Sequence, residues 1–424
     1  MSLSRLAYSA LAYALLPAAL ARLAWRGRRE PGYLEHIGER FGRYGDRPER
    51  EPLLWVHAVS VGETRAAEPL VRALAARHPD HRILMTHMTP TGRRTGAAVF
   101  RDGVMRAYLP YDYPGAVARF LEHYRPRAGV LLETEIWPNL VYACKARGIP
   151  LYLVNARLSA KSARGYRRFA GLSREAFSAL AAVAAQTTDD AERVRSLGAP
   201  DVQVTGNLKF DVALDPLQLE LGCVRRSRYG RRRVLLAAST RDGEEALLLD
   251  ALPLLPPDVL LVIVPRHPQR FDDVAALIEG RRVAHRRLST GDALAPETRV
   301  LLGDSMGEMT AHYAACDIAF VGGSLLPFGG QNLIEACAVG RPVLIGPHTY
   351  NFAEAADKAI EAGAARRTGT AEDVMREAGR LFDDAAALAR MGDRGLAFAH
   401  AHRGATAKVM EMLEGVPLTA AASR

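Results

Sequence analysis

One run in the last third of the chain, Gly303 to Phe352 (GDSMGEMTAHYAACDIAFVGGSLLPFGGQNLIEACAVGRPVLIGPHTYNF), constrains the fold more than any other stretch. It reads as loop, helix (308–315), apolar strand (318–321), glycine loop, helix (332–339), strand (342–345) and loop. Short apolar strands alternating with helices belong to a parallel sheet covered on both faces. Gly322, Gly323, Gly329 and Gly330 fall between a strand and a helix, where unpaired backbone N–H groups and the positive helix end can hold a phosphate. An anion is expected there. Glu335 lies in the first turn of the helix opened by Asn332, so its carboxylate can accept hydrogen bonds from a pair of sugar hydroxyls, and a nucleotide fits better than bare phosphate. A second glycine-flanked helix start, Ser305-Met306-Gly307-Glu308, faces the same crevice if both strands share one sheet. Any α/β protein has glycine-rich turns after its strands; two of them in one unit, with Glu335 inside the helix mouth, point to a nucleotide site.

The same alternation fills most of the 424 residues. Apolar strands are predicted at 53–58, 83–86, 104–109, 128–132, 150–154, 183–185 and 202–204, with helices such as 64–76, 137–147 and 162–180 between them. Between Val212 and Arg233 the periodicity fails, and proline, glycine and a cluster of arginines (Arg225, Arg226, Arg228, Arg231, Arg232, Arg233) replace it. A second series follows, with strands at 234–238, 259–264, 283–287 and 300–302 before the run described above. The reading is two doubly wound α/β domains of similar size, 27–211 and 234–417, joined by a linker at 212–233, with a frayed tail at 418–424. Their cleft is the expected active site.

The first segment, Leu6 to Ala21 (LAYSALAYALLPAALA), is uncharged between Arg5 and Arg22 and is followed by Trp25, Arg26, Arg28 and Arg29. It is short for a span of roughly 20 apolar residues, and Pro17 bends it. No small-residue cleavage site favours a removable signal peptide, and the positive charges after the segment favour a cytoplasmic domain. Residues 1–26 are read as a retained membrane anchor, spanning or interfacial. The formal charge of +9 points to anionic partners. With no zinc-finger spacing or interleaved aromatic and basic residues, a nucleic acid is a poorer fit than an anionic membrane surface or a phosphorylated substrate. The four cysteines, Cys144, Cys223, Cys316 and Cys337, have no metal-type spacing and fit a reducing compartment.

Chemistry-bearing residues sit at the ends of the predicted strands. Ser60-Val61-Gly62-Glu63 follows the first, and Glu63 at a helix mouth reads either as a helix cap or as a general base. Glu133-Thr134-Glu135-Ile136-Trp137-Pro138-Asn139 puts two carboxylates at the carboxyl edge of a very apolar strand, where α/β sites lie. Gly206-Asn207-Leu208-Lys209-Phe210-Asp211 closes the first domain, and Lys209 can neutralise a leaving phosphate. Pro265-Arg266-His267-Pro268 places Arg266 where it can grip a phosphate in two-pronged fashion. Ser239-Thr240 adds polar groups at another strand end. There is no Asp-x-Asp motif and no His/Cys cluster, so charge on a leaving nucleotide must be offset by helix ends, Arg or Lys, and a metal-independent transfer is expected.

The motifs SVGE (60–63), ETEIWPN (133–139), NARLS (155–159) with Gly165-Tyr166, GNLKFD (206–211), PRHPxRF (265–271), GDSMGEM (303–309), GGQNLIEA and GPHTYNF closely resemble the Kdo transferases. That family moves 3-deoxy-D-manno-octulosonic acid (Kdo) from its CMP-activated form to the lipid A precursor, lipid IVA, in lipopolysaccharide inner-core biosynthesis. The likeness runs in order along nearly the whole chain. It implies a GT-B glycosyltransferase, two Rossmann-like domains facing each other across a cleft, the first meeting the lipid acceptor and the second holding CMP. It further implies that Glu63 is the base on the acceptor hydroxyl, with inversion at the sugar, and that Glu133 and Lys209 stabilise the transition state. Pro265, Arg266, Met306, Gly307, Glu308, Asn332, Leu333, Ile334 and Glu335 match the CMP-binding stretches. No cofactor or metal is implied, and the location implied is the cytoplasmic face of the inner membrane. Two positions depart from the pattern, Arg241 and Gln331, where the family commonly has histidine. The alternatives are a nucleotide-sugar epimerase on the same scaffold, which has no need of an anchor, and a non-catalytic nucleotide-sugar-binding protein, which would tolerate Glu63→Gln.

Overall fold

The computed structural model describes residues 2–45, 51–211 and 214–414. The chain forms two compact units, one of residues 1–211 with 403–424, the other of residues 212–402. Each is built on a seven-stranded sheet whose paired strands all run parallel.

In the first unit the strands are β1 (Leu53–His57), β2 (Arg82–His87), β3 (Met105–Tyr108), β4 (Ala128–Leu132), β5 (Leu151–Ala156), β6 (Ala182–Ala185) and β7 (Val202–Val204), in the order β3-β2-β1-β4-β5-β6-β7. β1, β4, β5 and β6 are buried along their whole length, as unbroken apolar strands covered on both faces must be. Two apolar layers flank the sheet, one around Trp55, Phe120, Leu131 and Phe177, the other around Val56, Leu70, Val130 and Tyr152. The expected helix 64–76 is two helices, Val61–Ala66 and Glu68–Arg77, because Pro69 opens a new helix. The expected helix 162–180 is likewise broken, at Phe169.

The second unit holds β8 (Arg233–Thr240), β9 (Val259–Pro265), β10 (His285–Arg287), β11 (Val300–Leu302), β12 (Ile318–Val321), β13 (Val343–Ile345) and β14 (Ala365–Arg367), in the order β10-β11-β9-β8-β12-β13-β14. β14 has one buried and two exposed residues, too little apolar pattern to be read from sequence.

Strand order therefore reverses between β1 and β4, and again between β8 and β12. Ligands of doubly wound sheets gather at the carboxyl ends of strands beside such a reversal. SVGE follows β1 and ETEIWPN follows β4; Ser239-Thr240-Arg241 closes β8, and the glycine loop follows β12.

Two boundaries differ from the sequence reading. Most of the expected linker, 212–233, is a helix, Pro216–Tyr229, packed on the helix Met309–Ala315. A Cβ at Gly222 would stand 2.4 Å from Ala314 Cβ, so the helix lies close. Two of its arginines are engaged rather than solvated: Arg225 is buried and paired with Glu308, and Arg226 lies 3.4 Å from Asp317. The helix Ala405–Glu414, expected in the second domain, covers the sheet of the first, where Val409 and Leu413 pack beside Leu208. The expected tail, 418–424, lies outside the described residues.

The amino-terminal segment is a bent pair of helices, Leu3–Ala14 and Leu16–Arg29, turned by 46°. No single helix among the described residues is long and apolar enough to cross a membrane. The first helix is inside out: Arg5 and Ser9 are buried against the first unit, while Leu3, Leu6, Leu11 and Tyr13 are exposed.

Asp211 accepts hydrogen bonds from Gly404 N at 2.6 Å and from Thr406 N, and so fastens the start of the carboxyl-terminal helix. Replacing a helix-start acceptor costs about 1 kcal/mol. Asp211→Ala is expected to lower stability by about that amount and to speed proteolysis within 403–414, read by urea denaturation and limited digestion.

Candidate active site

In the first unit, Ser60 ends the β1 turn and caps the helix Val61–Ala66. Glu63 Oε1 accepts from Ser60 Oγ at 2.8 Å, and Oε2 accepts from Val59 N at 2.8 Å. The cap reading of Glu63 is therefore correct as far as it goes. The side chain is also only 8% exposed. Burial pushes its pKa up to about 7, against those two hydrogen bonds and with help from the charges of Glu133 and Glu135. A carboxyl poised there can exchange a proton with a hydroxyl near neutral pH.

The floor beneath is buried. His57 and His87 are fully buried, and burial takes their pKa values down to about 3 and about 4, so both rings are neutral. His57 Nδ1 lies 2.8 Å from Thr86 Oγ1, and His87 Nδ1 lies 2.9 Å from Ala58 O. Gly92 is required by close approach, since a Cβ would fall 2.9 Å from Val59 O. None of these was singled out from sequence, where Thr-Pro-Thr-Gly carries no chemistry of its own.

Glu133 follows β4 with φ +59°, a left-handed conformation that costs a glutamate roughly 1–2 kcal/mol. Its Oε1 lies 3.5 Å from Lys209 Nζ. Glu135 instead accepts from Trp137 Nε1 at 3.0 Å, so the two carboxylates have different partners. Lys209 sits in the turn Leu208–Phe210, which packs on the helix carrying Glu63. Asn207 Oδ1 accepts from Lys209 N at 3.0 Å, and Asn155 Oδ1, at φ +56°, accepts from Leu208 N at 3.0 Å. SVGE, ETEIWPN, NARLS and GNLKFD thus form one constellation, with Glu63, Glu133 and Lys209 together.

In the second unit the glycine loop departs from expectation. The anion expected at its amide groups is the protein's own Glu244, which is fully buried. Its carboxylate accepts from Gly323 N at 2.6 Å, Leu325 N at 2.9 Å and Arg241 N at 2.8 Å. Gly322 N donates to Ala238 O and Gly330 N to Gly323 O. These amides are spent inside the fold. Gly322 is there for packing: a Cβ would stand 2.7 Å from Thr240 Cα. The sequence signal was the pair Glu244-Glu245, two acids at a helix start after β8, which reads like any helix cap.

The other candidate nucleotide residues lie on the segments that follow β9, β11 and β12. Arg266, directly after Pro265 of β9, donates its N–H to Thr240 O at 2.9 Å. The buried Tyr313 senses the charges of both Glu335 and Arg266, which places the three near one another. Asn332 donates from Nδ2 to Glu335 Oε1 at 3.0 Å and accepts from Ile334 N at 3.0 Å. The helix after it is shorter than expected, Ile334–Ala338, with Leu333 at its cap. Met306 is exposed, Gly307 takes φ +79°, and Glu308 is paired with Arg225. The two departures from the family pattern are neighbours. A Cβ at Gly323 would lie 3.2 Å from Gln331 Nε2 and 3.3 Å from Arg241 Cγ.

One trio went unnoticed in the sequence. His78, Asp80 and His81 bring ligand-capable atoms within 4.8 Å of one another. They sit on the turn before β2, at the amino end of the sheet and away from its carboxyl edge.

Two parallel seven-stranded sheets with these topologies define a GT-B-like protein. The fold matches an Anabaena protein, HepE, solved with UDP (TM-score 0.55, 15% identity, 86% of this chain and 100% of that one). It also matches a putative UDP-N-acetylglucosamine 2-epimerase from Listeria monocytogenes (TM-score 0.54, 15% identity, 87% and 97%). Residues 35–212 match the family model described as 3-Deoxy-D-manno-octulosonic-acid transferase (kdotransferase). The 3-deoxy-D-manno-octulosonic acid transferase of Bordetella pertussis is 46% identical over 95% of this chain and 98% of its own length, and that of Haemophilus influenzae is 36% identical over 97% and 98%. The chain belongs to the 3-deoxy-D-manno-octulosonic acid transferase family and is a glycosyltransferase.

Glu244→Ala would leave three backbone donors without their carboxylate. Each buried unsatisfied group costs about 1–3 kcal/mol. The variant is expected to lose about 3 kcal/mol or more, seen as an earlier thermal transition.

Proposed function

We propose that this enzyme transfers Kdo from CMP-Kdo to a lipid A precursor with Glu63 as general base. The observation that carries the proposal is the buried Glu63 carboxyl, held near neutrality beside the Lys209–Glu133 pair at the β1/β4 reversal. Glu63 takes the proton from a glucosamine hydroxyl of the acceptor. The oxygen attacks the anomeric carbon of Kdo as the bond from that carbon to the CMP phosphate oxygen breaks, and CMP carries away the electron pair. Attack opposite the leaving group inverts the sugar. Lys209, oriented by Glu133, offsets the negative charge that develops.

In the second unit, Arg266 is suited to the CMP phosphate, and Glu335, steadied by Asn332, to the ribose hydroxyls. Pro265, Met306, Gly307, Glu308, Leu333 and Ile334 supply the remaining walls. With Arg and Lys to neutralise the leaving phosphate and no Asp-x-Asp pair to hold a cation, the transfer proceeds without a metal.

The inside-out amino-terminal helix supports a place at the membrane. Leu15 at the break and Leu20 and Trp25 on the second helix are also exposed, and the last turn of that helix carries Arg26, Arg28 and Arg29. Helices of 12 and 14 residues are each shorter than the roughly 30 Å of a bilayer core at about 1.5 Å per residue. The pair lies in the interface, its apolar side chains in lipid and its arginines on anionic headgroups of the cytoplasmic leaflet. An epimerase has no use for such a face.

Glu63→Gln is expected to lower turnover by about 10³-fold while CMP binding persists. The wild-type kcat/KM should rise with pH and level off, with a midpoint about 7, because the base works only when ionised. Linkage has the matching sign. The folded pKa is raised from 4.5, so the stability contributed by neutral Glu63 is full below pH 4.5 and is lost as pH rises through about 7. A Gln variant with wild-type turnover would remove Glu63 from the mechanism. Incubation with CMP-Kdo, acceptor and EDTA, read by mass spectrometry, should give the same product yield as without chelator; loss restored by Mg²⁺ would overturn the metal-free reading.

A further inference from the structure

The helix Pro138–Ala146 begins at the residue after the loop 133–137, yet it has no local cap, since Trp137 supplies none. Its first amides are held from elsewhere. Asp112 accepts from Asn139 N at 2.9 Å and from Leu140 N at 2.8 Å, and its main-chain oxygen accepts from Asn139 Nδ2 at 2.8 Å. The amino-terminal helix closes this arrangement. Ser9 Oγ donates to Asn139 Oδ1 at 2.9 Å, Arg5 Nε reaches the same oxygen at 3.5 Å, and the Tyr8 side chain hydrogen-bonds Asp112. The Arg5 guanidinium also lies 3.5 Å above the ring of Tyr142, one turn further along the helix. Asn139 is 1% exposed, and Arg5, Ser9 and Asp112 are all buried.

A helix that only tethered the protein to lipid would have no use for these inward polar groups. Leucines there would bury as well, without the cost of desolvating a guanidinium and a hydroxyl. What the network controls is the start of a helix joined by five residues to β4. Glu133, the first of them, is fixed at one end by its N–H to Val154 O at 2.9 Å and holds a strained φ of +59°. Such a conformation persists only where its surroundings over-determine it. Pro138 at the other end leaves little slack. A shift of the helix start is therefore passed to Glu133 and, through it, to Lys209.

We propose that Arg5, Tyr8 and Ser9 are positioning residues for the transfer: the amino-terminal helix, docked on Asp112 and Asn139, sets the geometry of the loop that carries Glu133. This rests on the reading of Glu133 and Lys209 as parts of the reaction centre. The consequence is that the lipid-facing helix and the catalytic loop are one mechanical unit, and the helix contributes to turnover even where no bilayer is present.

The test uses full-length protein in mixed detergent micelles with CMP-Kdo and lipid acceptor, where tethering to a bilayer plays no part. In Tyr8→Phe/Ser9→Ala, kcat should fall about tenfold or more, as sub-ångström to 1 Å misplacement costs up to about 10²-fold. KM for CMP-Kdo and sedimentation with anionic phospholipid vesicles should stay at wild-type values. Tyr8→Phe/Ser9→Thr, which restores one hydroxyl, should recover part of the loss. Wild-type kcat in the folded double variant overturns the proposal, and so does a loss of kcat that merely tracks loss of vesicle binding. If circular dichroism shows the double variant unfolded, Tyr8→Phe alone decides by the same split. Glu63→Gln assayed alongside separates the two readings: should it retain turnover, the base assignment falls whatever the helix variants do.

Discussion

The molecule depends on one geometric constraint, the reversal of strand order in each parallel sheet. At β1/β4 and at β8/β12 neighbouring crossovers leave in opposite directions, and the carboxyl ends of those strands are left uncovered by helices. Residues far apart in sequence converge there because each strand ends on the same edge. Glu63, Glu133 and Lys209 are brought together for that reason, although nothing local connects them. The price is backbone strain near the carboxyl ends of both sheets, where Glu133 and Asn155 in the first and Ser239 in the second take positive φ.

Glu63 shows how one side chain can combine a structural role with the chemical one we propose for it. Capping the helix Val61–Ala66 points the carboxylate back over the end of β1, and the buried position raises its pKa. The hydrogen bonds from Val59 and Ser60 work the other way and keep the group from being neutral throughout the physiological range. Burial and capping in opposition leave it near 7. The neutral histidines below add no positive charge that would pull it back down.

Glu244 is the counterpart in the second unit, an internal carboxylate where a ligand's phosphate was expected. Reading glycines after a strand as an anion cradle assumes that their amides are free. Here those of Gly322, Gly323 and Gly330 are not, and the distinction is invisible in the sequence because Glu244 reaches the loop after β12 from a helix that follows β8. The linker and the carboxyl-terminal helix were misplaced for a related reason. Pro216–Tyr229 has a weak apolar face because small Gly222 and paired arginines make its contacts, and Ala405–Glu414 has an ordinary apolar face that does not say which sheet it will cover. Arg5 and Ser9 look like interruptions of an apolar segment until the surface they meet, Asn139 and Asp112, is in view.

The alternation of apolar strands with helices, the position of each motif just after a strand, and the run of motifs in order were all legible in the chain itself, because they depend on local periodicity and on residue type. Which sheet a helix covers, which amides remain open, which of Glu133 and Glu135 meets Lys209, and which way the first helix turns its polar side were decided only in three dimensions. Those outcomes rest on burial and hydrogen bonding between segments distant in sequence, and neither quantity has any expression in the order of residues along one of them.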